Sequence, residues 1–201
     1  MPAENKQIAP LKIERSTVTK LVITEAQGLD PITVFLEDLA PRKGKITVSC
    51  YDKSWHAYWG GMWEGRTLAQ FFCGLDEHYI IGYFSPSMHA MRFSSAALMK
   101  LAKKAVVDRR RMRKGYWEFG DSLDSDDARD LFDQIDDLRN VESIMSAHHH
   151  GELLADLFGP EWWHMVDDKA TEPNPAWNYL CRIIAAVQQA LRQEQQHLEA
   201  A

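Results

Sequence analysis

The sequence predicts an α+β fold: a small N-terminal antiparallel sheet with a packed helix, followed by an α-helical C-terminal half. Three observations predict it. Between Val18 and Trp59, β-branched and polar residues alternate in short runs separated by turn sequences. From Ser94 onward the apolar residues recur at helical rather than strand spacing, with capping residues between the segments. The chain of 201 residues is 45% hydrophobic and 26% charged, with seven Trp, six Tyr and eight Phe, which supplies a core and excludes the disordered class.

Taken in order, residues 1–16 are polar and proline-punctuated and form a flexible lead-in. TVTKLVITE is a first strand, GLDP a turn, ITVFLED a second strand, PRKG a turn and KITVSCY a third. In the third strand Ile46, Val48 and Cys50 share one face, and in SWHAYW, a fourth strand, Trp55, Ala57 and Trp59 do. Thr67 and Gln70 have capping-box spacing, and Leu68, Phe71, Phe72 and Leu75 form the stripe of a helix lying on the sheet. DEHYIIGYF is read as a short helix, with strand pairing as the alternative.

In the back half, Ser94 or Ser95 caps a helix to about Lys114, stopped by Gly115. Asp124 or Ser125 caps a second over 126–139, and a third spans about 142–158 and ends at Gly159-Pro160. Asn174-Pro175 opens a last helix on which Trp177, Leu180, Ile183, Ile184, Val187 and Leu191 share a face, with a fraying polar tail. These signals divide the chain into the lead-in 1–16, a β-rich α+β part 17–90 and a helical part 91–201, the last two forming one compact unit.

A net charge of −6 conceals a partition. Residues 91–117 carry nine basic groups and one acidic, a net of +8, whereas residues 118–201 carry five basic and 18 acidic, a net of −13. On a helical projection Lys100, Lys103, Lys104, Arg110, Arg111 and Lys114 fall within an arc of about 120°. Tyr116 and Trp117 follow directly. A ridge of this kind contacts phosphates, and flanking aromatics stack on unpaired bases. On the next helix Asp126, Asp130, Asp133 and Asp137 form an acidic strip. That strip either screens the ridge in an αα-hairpin or contacts a protein partner, as a nucleic-acid mimic would.

Signs of catalysis are weaker. His148 and Glu152 stand four apart on a presumed helix, and with His164 form a candidate divalent-metal site. Cys50, His56, Cys73 and His78 come in the wrong order and spacing for a zinc finger, and DSLDSDDARDLF lacks the glycine and terminal glutamate of a calcium loop. Neither a glycine-rich phosphate loop nor a GxSxG elbow occurs. No cofactor is expected. Three scattered cysteines, no apolar leader and no long apolar run point to a cytoplasmic protein without a membrane span. The amphipathic C-terminal helix offers a surface for a homodimer.

The stretch KITVSCYDKSWHAYWGGMWEGRTLAQFFCGLDEHYIIGYF, with GLDPITVFLED before it, resembles a segment that recurs in proteins of temperate bacteriophages and prophages. The likeness is best over about residues 18–84. It implies a phage-encoded accessory product in the bacterial host cytoplasm and carries over no catalytic or binding residue. The expected role is non-catalytic: binding of nucleic acid or of a host nucleic-acid-handling protein. The alternatives are a metal-dependent hydrolase or nuclease built on the His148/Glu152 region, and an acidic inhibitor of host defence acting through residues 118–201.

Overall fold

The computed structural model describes residues 12, 13, 15–111 and 123–200. The chain divides into two compact units, Met1–Ser87 with Leu180–Ala201, and Met88–Tyr179.

In the first unit four strands form an antiparallel meander: β1 (Thr19–Ile23), β2 (Ile32–Ala40), β3 (Lys43–Cys50) and β4 (Lys53–Trp59). The register sets Val34 opposite Val48 and Val48 opposite Trp55, so alternation sends these side chains into one buried face. Arg42 makes the β2–β3 turn at φ 64°, and its Nε donates to the Met62 carbonyl at 2.9 Å.

Two helices cover the inner face, α1 (Leu68–Cys73) and α2 (Glu77–Phe84). Both halves of the Thr67–Gln70 capping box form, and Asp38 at the end of β2 accepts from the Leu68 amide at 2.8 Å. Gly44 of β3 lies beneath α1, where an added Cβ would stand 3.0 Å from Leu68 Cδ1. The DEHYIIGYF segment is the helix α2, capped by Asp76.

The second unit opens with β5 (Met91–Phe93) and α3 (Ser95–Arg111). Ser94 Oγ accepts from the Ala97 amide, which realises the expected cap. Next come α4 (Ser125–Ile135), capped by Asp124, and a 3₁₀ turn at Asp136–Asn140. After these come α5 (Ile144–Ala147), a 3₁₀ turn at His148–His150, α6 (Gly151–Phe158) and α7 (Trp162–Lys169). Then β6 (Thr171–Pro173) pairs antiparallel with β5. Leu98, Ala102 and Val106 of α3 pack with Leu131 and Ile135 of α4, Leu154 and Leu157 of α6, and Trp162 and Val166 of α7.

The single helix expected over 142–158 is corrected here. Ser143 and Ser146 close a capping box of their own, and the chain tightens to 3₁₀ at the histidines before Gly151 restarts the helix. His148 and Glu152 are therefore not neighbours on one continuous α-helix.

The last helix, α8 (Pro175–Glu199), begins where Asn174 Oδ1 accepts from the Ala176 amide. It continues through the Gln-rich tail, which was expected to fray. From Leu180 onward it belongs to the first unit, where it completes the end of α1. Gln188 Nε2 donates to the carbonyls of Phe72 at 3.0 Å and Leu75 at 2.8 Å, and Arg192 to that of Cys73 at 2.9 Å. Carbonyls at a helix C-terminus have no intrahelical donor, so α8 supplies amide and guanidinium groups where the helix dipole is negative.

Candidate nucleic-acid interface

The cationic residues of α3 lie opposite its apolar face, as a 3.6-residue period requires. Lys100, Lys104, Arg110 and Arg111 are exposed and Lys103 is half-buried. Lys114, Tyr116 and Trp117 lie outside the described residues. Lys103 Nζ meets Asp136 Oδ1 at 3.1 Å, and Lys104 Nζ meets Asp108 Oδ2, on its own helix, at 2.8 Å. Lys100, Arg110 and Arg111 form no ion pair with another described residue.

Among the described residues no aspartate of the acidic strip forms an ion pair with the ridge. Asp126, Asp130 and Asp133 on α4 and Asp137 on the following turn are exposed, while Ala128, Leu131 and Ile135 face the core. Asp126 pairs with Arg129 of its own helix at 3.4 Å. Among the described residues the contact from the ridge goes to Asp136, which is beside the strip and not part of it. At roughly half exposure for both side chains, such a pair is worth about 0–1 kcal/mol.

Arg109 behaves differently from its neighbours. It is 4% exposed, and its Nη1 donates to the Asp156 main-chain carbonyl at 3.1 Å and to the Asp156 carboxylate at 3.4 Å. Its place in the basic run conceals this, but the helical projection does not. Arg109 falls about 180° from Lys100, in the middle of the apolar face.

The histidine run lines an open groove of about 570 Å³ with Gln134, Asp137, Glu152 and Leu153. His148 packs edge-on against the buried Trp162 at 4.9 Å between ring centroids, and His164 lies 5.7 Å from the ring of Trp163 and does not line the groove. Among the described residues no three His, Cys, Asp or Glu side chains are grouped to hold a metal ion.

In the first unit Cys50, Cys73 and Cys181 form no disulfide, and burial raises the pKa of the Cys73 and Cys181 thiols. Arg192 opposes the shift at Cys73, while the charge of Glu77 adds to it at Cys181. Raised thiols are poor nucleophiles at neutral pH.

A phage-family model matches residues 11–193, nearly the whole length. The chain belongs to the phage family Phage_phiTE_072. No curated protein and no solved structure matches it. The match reaches well past the 18–84 segment that carries the resemblance and takes in all of α3 and α4. Membership in Phage_phiTE_072 places the chain among phage proteins and assigns no role to any residue. Among the described residues no helix is long and apolar enough to cross a membrane.

Proposed function

We propose that this phage protein acts by binding nucleic acid, with phosphates contacted by the exposed cationic face of α3. The observation that supports the reading is that Lys100, Arg110 and Arg111 stand exposed with no ion pair to another described residue, although an acidic helix packs alongside. Charges with no ion-pair partner among the described residues, next to so many carboxylates, are available to a polyanion, whose condensed counterions are released on contact. Open grooves and the lack of a three-ligand group among the described residues give a metal-dependent hydrolase on His148, Glu152 and His164 less support.

The test is binding of the full chain to labelled single- and double-stranded DNA and RNA at ~50 and ~200 mM salt. Affinity should fall steeply with salt, and the double variant Arg110→Glu/Arg111→Glu should bind weakly to every sequence while remaining folded. Unaltered affinity in that variant would overturn the assignment.

A second reading rests on the acidic strip, which points to solvent along α4. It makes the protein an inhibitor that enters the basic groove of a host nucleic-acid-handling protein. Absence of nucleic-acid binding at low salt, with a host complex lost on charge reversal of Asp126, Asp130 and Asp133, would favour it. A homodimer through α8 would use residues other than Leu180, Ile183, Ile184, Val187 and Leu191, which are fully buried.

A further inference from the structure

The four-stranded sheet has a second face, which α1 and α2 do not cover. Alternation that buries Val34, Ile46, Val48 and Trp55 turns the intervening residues outward. The register aligns them in rows. Lys20 is opposite Phe35, Phe35 opposite Thr47 and Thr47 opposite His56, while Glu37 is opposite Lys45 and Lys45 opposite Tyr58.

Lys20 Nζ stands 5.9 Å over the Phe35 ring, and Tyr58 is 52% exposed. Phe35 on β2 and His56 on β4 are two strand spacings apart, about 10 Å, so their rings do not cover one another. Lys43 is turned to the same side by the alternation of β3, since Gly44 points at Leu68. The face therefore holds three lysines against one glutamate, and Glu37 is engaged with Lys45 at 3.8 Å.

Separated rings on one face of a sheet, bordered by lysines, match a chain of planar groups joined by phosphates. A protein partner would need none of the spacing between rings, and a duplex keeps its bases stacked inside. We infer that this outer sheet face is a stacking platform for the unpaired bases of a single-stranded nucleic acid. The inference rests on the nucleic-acid reading and sharpens it, from phosphate contact at α3 to a preference for single strands.

The experiment compares Tyr58→Ala and Tyr58→Phe with the unaltered chain, using a labelled 20-nucleotide oligo(dT) and a duplex of equal length. Circular dichroism establishes that both variants fold, which the exposure of Tyr58 favours. Tyr58→Ala should bind the single strand about tenfold more weakly, the order of one lost base–aromatic stack. Tyr58→Phe should stay within about twofold, because it keeps the ring. Duplex binding should be unchanged in both.

Equal affinity of Tyr58→Ala and the unaltered chain for the single strand, with Arg110→Glu/Arg111→Glu still impaired, overturns the platform and leaves the α3 reading standing. Failure of the unaltered chain to bind either probe overturns both. A change of oligomeric state in Tyr58→Ala, seen by light scattering, would assign the face to a second copy and also overturn it.

Discussion

Arg109 and Asp156 join two helices of the second unit by a main-chain and a side-chain contact from a single guanidinium nitrogen, at 3.1 and 3.4 Å. The Arg109 side chain is 5% exposed and that of Asp156 53%, so the two partners are very unequally solvated. Among the described residues Arg109 Nε has no hydrogen-bond partner. A buried cation held in this way contributes through its packed stem as much as through its charge. We expect Arg109→Ala to lower stability by about 2–4 kcal/mol, through the lost packing of a buried side chain. Arg109→Met should recover most of that loss, because the stem is restored and Asp156 remains solvated. Urea denaturation midpoints check both. Nucleic-acid binding by Arg109→Met should match the unaltered chain, which separates this arginine from Arg110 and Arg111.

The Lys103–Asp136 pair leads to a prediction of opposite sign. Asp136 holds one cation of the ridge at 3.1 Å. Asp136→Asn should change stability by less than about 1 kcal/mol, as for other surface pairs. It should strengthen binding to nucleic acid a few-fold at ~50 mM salt and steepen the salt slope by up to about one, because Lys103 becomes free to meet a phosphate. An unchanged slope in a filter-binding titration would exclude Lys103 from the contact face.

How much of this was legible depended on whether local or distant residues decide each feature. The Thr67–Gln70 box, the Ser94 and Asp124 caps and the buried stripe of α8 depend on residues within a turn or two, and the sequence signals for them match the structure. β5 and β6 are three residues each and pair across a separation of 80 positions, so no periodicity marks them. The break at His148–His150 depended on a capping box nested inside a helical pattern. At the candidate site, the cationic and acidic faces followed from the projection. Their partners did not, because Asp136 and Asp156 are brought to Lys103 and Arg109 only by packing.

Two glycines should respond to alanine in opposite directions. At Gly44 a new Cβ would meet Leu68 Cδ1 at 3.0 Å and its Cβ at 3.1 Å, and Leu68, the first residue of α1, is fully buried. Gly44→Ala should cost about 1–3 kcal/mol, the range for overpacking. Gly82, exposed in α2, has nothing within 4 Å of the same position. Gly82→Ala should gain about 0.5–1 kcal/mol by removing backbone freedom from the unfolded chain. Thermal melts of the two variants test the pair. A stabilised Gly44→Ala would mean that α1 lies less closely on β3 than the contacts indicate.

The β5–β6 ribbon carries a pH dependence that can be read at one carboxylate. Arg92 and Glu172 are direct cross-strand partners, and the guanidinium donates from Nε at 3.1 Å and Nη2 at 2.8 Å to the same oxygen. Hydrogen bonding from Arg92, with a smaller contribution from Ser94, holds the Glu172 carboxyl below the ordinary value of 4.5. A depressed carboxylate stabilises the folded state fully above its unfolded-state pKa, and the contribution disappears as pH falls through the folded one. Carbon-13 NMR should therefore show Glu172 titrating below a free glutamate in the unaltered chain and moving up towards it in Arg92→Ala. The urea midpoints of the two proteins should differ at neutral pH, converge as the pH drops below about 4.5, and coincide once Glu172 is protonated in both. A gap that persisted in acid would mean that Arg92 acts through packing, and that its bond to Glu172 contributes nothing in solution.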